Sequence, residues 1–158
     1  MNIAVRRAIS SDTSAACETV RQSITQLCDA DHRGDPPTVT PWLANKTPEN
    51  FDAWISSPRH VALVAECEGL IAGFALLNND GTIALLYVGP QFRFTGVSKA
   101  LLAALEKHAA SSGITELRLA SSETALSFYE RHGYVRTGEA VPGFGITNAY
   151  PLSKVLAL

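Results

Sequence analysis

"QFRFTGVSKALLAALEKHA", residues 91–109, runs from a turn holding Arg93, Thr95 and Gly96 straight into an amphipathic helix. Over 96–112 the apolar positions Val97, Ala100, Leu101, Ala104, Leu105 and Ala109 make one stripe, and Gly113 stands where a C-terminal cap is expected. The first backbone N–H groups of such a helix have no partners within it, and the macrodipole makes that end partly positive. A loop of this kind at a helix start is a ready anion site.

The flanking text sets this helix in a strand–helix–strand unit. "TIALLYV" precedes it and "ITELRLA" follows, and a right-handed crossover makes these two strands parallel. The loop then lies at the carboxyl end of a central strand, where open α/β sheets bind ligands. Upstream, "HVALVAEC" and "LIAGFALLN" read as a hairpin turned by Glu68 and Gly69, and "NNDG" turns the second of them into "TIALLYV". "IAVRRAI" is a first strand, and "SSD" an N-cap for a helix carrying Ala16, Val20, Ile24 and Leu27. "DADHRGDPPTVTP", residues 29–41, is polar and proline-broken and is expected to be a surface loop. "TPENFDAWI" opens with Thr47 as N-cap and Pro48 at the first helical position. Downstream come a helix "SSETALSFYERH" capped by Ser121 or Ser122, a strand "GYVRTGE" and a last strand "ITNAYPLSKVL". The fold class is α/β: antiparallel strands at the front and a parallel pair in the middle, flanked by helices.

Bulk composition removes other classes. The 158 residues suit one domain, 1–158, able to bury roughly 70% of its unfolded surface. A hydrophobic content of 46% with 18% charged residues is ordinary for a globular protein. A formal charge of −2 without a Lys/Arg run gives no footprint for nucleic acid. No stretch reaches the ~20 apolar residues of a membrane span and "MNIAVRRAISSD" lacks a signal-peptide core, which points to a cytoplasmic protein without a membrane partner. Cys17 and Cys28 are read into one helix about 16 Å apart, beyond disulfide reach, and Cys67 reads as a small buried hydrophobe. Asp29, Asp31, His32 and Asp35 lack a closing glutamate at EF-hand spacing, so no metal is expected.

At Arg93-Phe94-Thr95-Gly96-Val97-Ser98 the sequence resembles the GNAT superfamily of acyl-CoA-dependent N-acetyltransferases, whose pyrophosphate loop reads Arg/Gln-x-x-Gly-x-Gly/Ala. A second motif of that family, Asn-x-x-Ala-x-x-apolar-Tyr-x-x-x-Gly-aromatic, is matched from Ser122 through Ala125, Phe128, Tyr129 and Gly133 to Tyr134, with Ser122 in place of Asn. The resemblance covers nearly the whole chain except residues 29–58. It implies a mixed sheet whose central parallel pair splays around CoA, with acetyl-CoA as co-substrate and a small-molecule or peptide amine as acceptor. A homodimer is the assembly allowed for.

The resemblance also assigns residues. A backbone N–H at a bulge within Leu86-Tyr87-Val88 would polarise the thioester carbonyl, as an oxyanion hole does. Arg93, Phe94, Thr95, Gly96, Val97, Ser98, Lys99 and Ser122 would hold the cofactor, and Tyr129 would protonate the leaving thiolate. The acetyl group would pass by direct attack within a ternary complex. Many relatives carry a glutamate as general base on the strand before the loop, and "TIALLYV" has none. Glu66, Asp31 and His32 are the candidates left, while the carboxylates of residues 29–46 and Trp42 would form an acceptor lip favouring a cationic amine. The alternative is a catalytically weak acyl-CoA-binding or sensory module on the same fold.

Overall fold

The computed structural model describes residues 2–143 and 146–157, Thr147 by its backbone alone. β1 (Ile3–Arg7), β2 (His60–Cys67), β3 (Leu70–Asn78) and β4 (Ile83–Val88) pair antiparallel in chain order. Alternation sends Val61, Leu63, Ala65 and Cys67 of β2 to one core and Ala62 and Val64 to the other. Both faces are covered, which explains the near-continuous apolar text of β2 and β3. Helix α1 (Thr13–Leu27) packs Ala16, Val20 and Ile24 on one face. The long crossover helix, read as 96–112, spans Val97–Ser111, and its Val97, Leu101, Leu105 and Ala109 fill the opposite core.

Residues 29–41 are not a surface loop. They form α2 (Asp29–His32) and most of α3 (Pro36–Leu43), followed by α4 (Pro48–Ser56) and then, after β4, α5 (Val97–Ser111). Pro36 and Pro37 sit in the first turn of α3, where an N–H has no helical partner to lose. Val39, Trp42 and Leu43 give it an inward face, with Trp42 buried. Thr47 Oγ1 accepts from the backbone N–H of Asn50 at the start of α4, as its position implied. Cys28 ends α1 rather than lying inside it, and all three thiols are buried and unbridged. "SSD" makes a short 3-10 turn in which Asp12 does not cap α1; its carboxylate takes the Ile9 N–H and a two-pronged bond from Arg6 instead.

The second sheet is built from β5 (Glu116–Ser121), α6 (Glu123–Arg131), β6 (Val135–Arg136), β7 (Val141–Gly143) and β8 (Ile146–Val155), with strand order β5-β8-β6 and β7 on β8. Of "GYVRTGE" only Val135 and Arg136 are strand, and β7 is an addition to the sequence-based expectation. The parallel sense of β4 and β5 holds, but the only bridge between them among the described residues is Thr82 with Arg118. That bridge joins their N-terminal ends, where Arg118 N–H donates to Gly81 O at 2.9 Å. Beyond it the strands part, and the cleft opens at their carboxyl ends. Gly73 lets α5 close on β3 at the cleft's edge: a Cβ there would lie 2.9 Å from Val97, Leu101 and the Tyr87 carbonyl.

Candidate active site

The start of α5 is uncapped. Gly96 stands at the N-cap with φ 92°, a left-handed conformation suited to glycine, and no side chain bonds to the first turn. The first helical bond runs from Ala100 N–H to Gly96 O, so Val97, Ser98 and Lys99 keep N–H groups with no intrahelical partner. Thr95, the alternative cap, spends its hydroxyl on Phe92 O. Arg93 and Lys99 are exposed beside this turn, with the Arg93 guanidinium 4.7 Å from the ring centre of Phe94.

From that turn a cavity of about 890 Å³ runs into the gap between β4 and β5. The expected bulge at Leu86–Val88 is displaced: those residues pair regularly with Gly73–Ala75, and the slip falls between Leu76 and Leu77, opposite Leu85 and Ile83. Ala84 is the extra residue, and a bulge there bends the strand locally. Gly89 N–H donates to Ala72 O at 2.7 Å. Strand alternation then points the N–H groups of Leu86 and Val88 away from β3, toward the cleft.

Tyr129, on α6, is 5% exposed, and its hydroxyl lines the cavity without a hydrogen-bond partner among the described residues. Burial raises its pKa above that of a free phenol, so it stays protonated at neutral pH. Its ring packs edge-on against Phe128 and Tyr134, and Tyr134 donates to Glu106 at 2.8 Å, so the hydroxyl's position is fixed from behind. Helix α6 is anchored twice at its start. Ser122 Oγ accepts from Ala125 N–H, and the carboxylate of Asp31 accepts from the N–H groups of Glu123 and Thr124 and from the Thr124 hydroxyl.

The opposite wall comes from α3 and the connection to α4. Trp42 Nε1 donates to Tyr87 Oη at 3.1 Å, tying α3 to β4. Burial first, and the nearby Cys28 second, raise the Tyr87 phenol's pKa, and burial pushes the Cys28 thiol up to about 12. Lys46 is 4% exposed and lines the cavity; its ammonium donates to Trp42 O at 3.3 Å and Asn45 Oδ1 at 2.6 Å. Burial, then the charge of Arg21, lowers its pKa to about 8.

Leu86, Tyr87, Val88, Arg93, Phe94, Gly96, Val97, Ser98, Lys99, Ser122, Trp42 and Tyr129 all line this one cavity. Thr95, Asp31, His32 and Glu66 do not. Asp31 caps α6. His32 is buried, with Nε2–H on Ile24 O and Nδ1 accepting from Gly34 N–H, so it locks the α1–α2 corner. Glu66 is held by Arg6 across β1 and β2. The acidic lip is corrected too: among the described residues no Asp or Glu lines the cavity, and Trp42 is a wall tied to Tyr87 rather than an exposed rim. Sequence reading missed Asn45, Lys46, Trp54 and His60, which no spacing marks; only the inward face of Val39, Trp42 and Leu43 hinted that this segment returns to the sheet.

Comparison with known proteins bears on the whole chain. The acetyltransferase (GNAT) domain profile matches residues 36–149. An uncharacterized N-acetyltransferase of Mycobacterium tuberculosis is 28% identical over 116 residues, 65% of this chain and 74% of that protein. A GCN5-related N-acetyltransferase from Rhodopseudomonas palustris superposes with a TM-score of 0.87 at 26% identity, covering 99% of this chain and 97% of that one. The PaiA N-acetyltransferase from Thermoplasma acidophilum, solved in complex with coenzyme A, shares the fold with a TM-score of 0.82 at 22% identity, over 99% and 100% of the two chains. Among the described residues, no helix is long and apolar enough to cross a membrane.

Proposed function

The chain belongs to the acetyltransferase (GNAT) domain family, and from that premise we propose that residues 1–158 act as one N-acetyltransferase domain that moves an acetyl group from acetyl-CoA to a primary amine within a ternary complex. The observation that carries this reading is Tyr129, a buried side chain whose hydroxyl is protonated and has no protein partner among the described residues, in the same cavity as an uncapped helix start. That helix start fits a pyrophosphate: three N–H groups, the positive end of the α5 dipole, and Arg93 and Lys99 beside it. The free edge of β4 fits an extended amide-bearing arm, which strand-like hydrogen bonds would hold along the cleft.

Acetyl-CoA supplies the activated thioester. Leu86 or Val88 N–H, aimed into the cleft, stabilises negative charge on the carbonyl oxygen during attack. As the C–N bond forms and the C–S bond breaks, Tyr129 gives its proton to the departing sulfur and is reprotonated from solvent, while the new amide nitrogen releases one. With no carboxylate in the lining among the described residues, the acceptor's ammonium loses its proton before attack, aided by the cost of holding a cation against an apolar wall. A thiol-release screen of amine libraries, with mass spectrometry of the acetylated product, tests this reading. An amide product is expected, and acetyl-CoA binding without turnover on any amine would favour a binding module instead.

A further inference from the structure

Lys46 is a buried charge for which the proposed acetyl transfer has no use. It lies between α3 and α4, nearly sealed from solvent, and faces the cavity at the wall opposite Tyr129's helix. Its two hydrogen-bond partners, Trp42 O and Asn45 Oδ1, are neutral, so one of its three N–H donors remains uncommitted among the described residues. Among the described residues no carboxylate comes within 4.0 Å of it and none lines the cavity. A buried cation without a counter-ion is costly and is ordinarily paired. Behind it stands Arg21, whose guanidinium donates to the carbonyls of Leu43 and Lys46 and has no ion-pair partner among the described residues either. Arg21 thus fixes the Lys46 backbone and places a second positive charge behind it. Arg93 and Lys99 sit at the α5 end and are accounted for by phosphate. Lys46 is not.

We propose that the acceptor is an amine that also carries a carboxylate, of the amino-acid class, and that the Lys46 ammonium, with Asn45 beside it, holds that carboxylate while Trp42 and Trp54 enclose the apolar body of the molecule. This inference rests on the acetyltransferase reading. The seated carboxylate becomes the counter-ion that the fold omits, and its charge keeps the lysine protonated. The amino group of the same molecule is then left to face the cleft between β4 and β5. An amine lacking the carboxylate would leave the buried charge unpaired, so discrimination comes from the unsatisfied lysine as much as from the ion pair that the carboxylate forms.

The test compares matched acceptors: L-phenylalanine with phenethylamine and L-leucine with 3-methylbutylamine, each with acetyl-CoA and the full chain, after calorimetry has measured acetyl-CoA binding. At least a tenfold preference in kcat/KM for the amino acid of one pair is expected. Lys46→Met should erase it, by raising KM for the amino acid and by lowering KM for the carboxylate-free amine, which no longer faces an unpaired buried charge. Absence of acetyl-CoA binding would sink the acetyltransferase reading itself. Binding accompanied by equal or faster transfer to the carboxylate-free amines, by no transfer to any amino acid, or by a preference that survives Lys46→Met would overturn the carboxylate alone.

Discussion

Asp31 and Thr124, 93 positions apart in the chain, are joined by a side-chain hydrogen bond from the Thr124 hydroxyl to Asp31 Oδ2, and the same carboxylate takes the N–H groups of Glu123 and Thr124. This contact anchors the helix that carries Tyr129. Removing a charged cap of this kind costs about 1–2 kcal/mol. Asp31→Ala should therefore lower the melting temperature by roughly 2–8 °C, and kcat should fall with it as α6 loosens. Asp31→Asn, which keeps one acceptor oxygen, should recover part of both. An unchanged melting temperature in Asp31→Ala would show that Ser122 alone suffices as cap.

The strand order at the front, the crossover helix and the loop at its start were legible because each rests on local chemistry: apolar runs, Glu68-Gly69 and "NNDG" turns, a 3.6-residue stripe. The wall formed by α3 was not. Its prolines read as breakers, although at the first turn of a helix they lose nothing, and its buried face amounts to Val39, Trp42 and Leu43. Asp31 and His32 looked like chemistry because polar residues in a presumed loop face water; folded, they serve a cap and a corner. Glu66 was misread for a related reason, since its partner Arg6 lies 60 residues away. Lys46 carries no pattern at all, and only burial reveals it.

Arg93 stands exposed beside the α5 start, and in the proposed reading it makes a charge contact to the CoA phosphates. Arg93→Ala should weaken CoA several-fold at low ionic strength and much less near 1 M salt, where the Debye length falls to about 3 Å. Arg93→Lys should restore most of the affinity. A loss that calorimetry finds independent of salt would assign Arg93 to packing on Phe94.

Lys46 also sets a dependence of stability on pH. Its pKa is lowered from 10.5 to about 8 in the folded chain, chiefly by burial and then by Arg21. Between those values this lysine binds more protons in the unfolded chain than in the folded one, so its contribution to the stability of the ligand-free protein rises with pH across that window, by on the order of 3 kcal/mol at most. Lys46→Met should abolish the rise and be more stable than wild type at pH 7, because a buried unpaired charge is gone. Because the buried Cys28 thiol, pushed up to about 12, opposes this rise above pH 9, denaturant unfolding of wild type and Lys46→Met is compared at pH 7 and pH 10, and a stability difference between the two proteins that is the same at both values would contradict it.

Among the described residues no carboxylate lines the cavity to shape the pH profile of kcat/KM. Its rising limb should follow the amine pKa of whichever acceptor is used, shifting by about one pH unit for acceptors whose pKa values differ by one. The limb should persist in Lys46→Met on a carboxylate-free amine. A limb fixed at one pH for all acceptors would reveal a protein base.

The most direct measurement is the steady-state rate of CoA release by Tyr129→Phe at saturating acceptor, set against wild type. The substitution removes one oxygen that has no protein partner among the described residues, so melting temperature and acetyl-CoA affinity should hardly move. General-acid catalysis contributes typically 10²- to 10⁴-fold, and a thiolate is a fair leaving group, so a fall in kcat of about 10²- to 10³-fold with KM for acetyl-CoA unchanged is expected. Equal rates for tyrosine and phenylalanine would contradict the assignment of Tyr129 as the proton donor in this cavity.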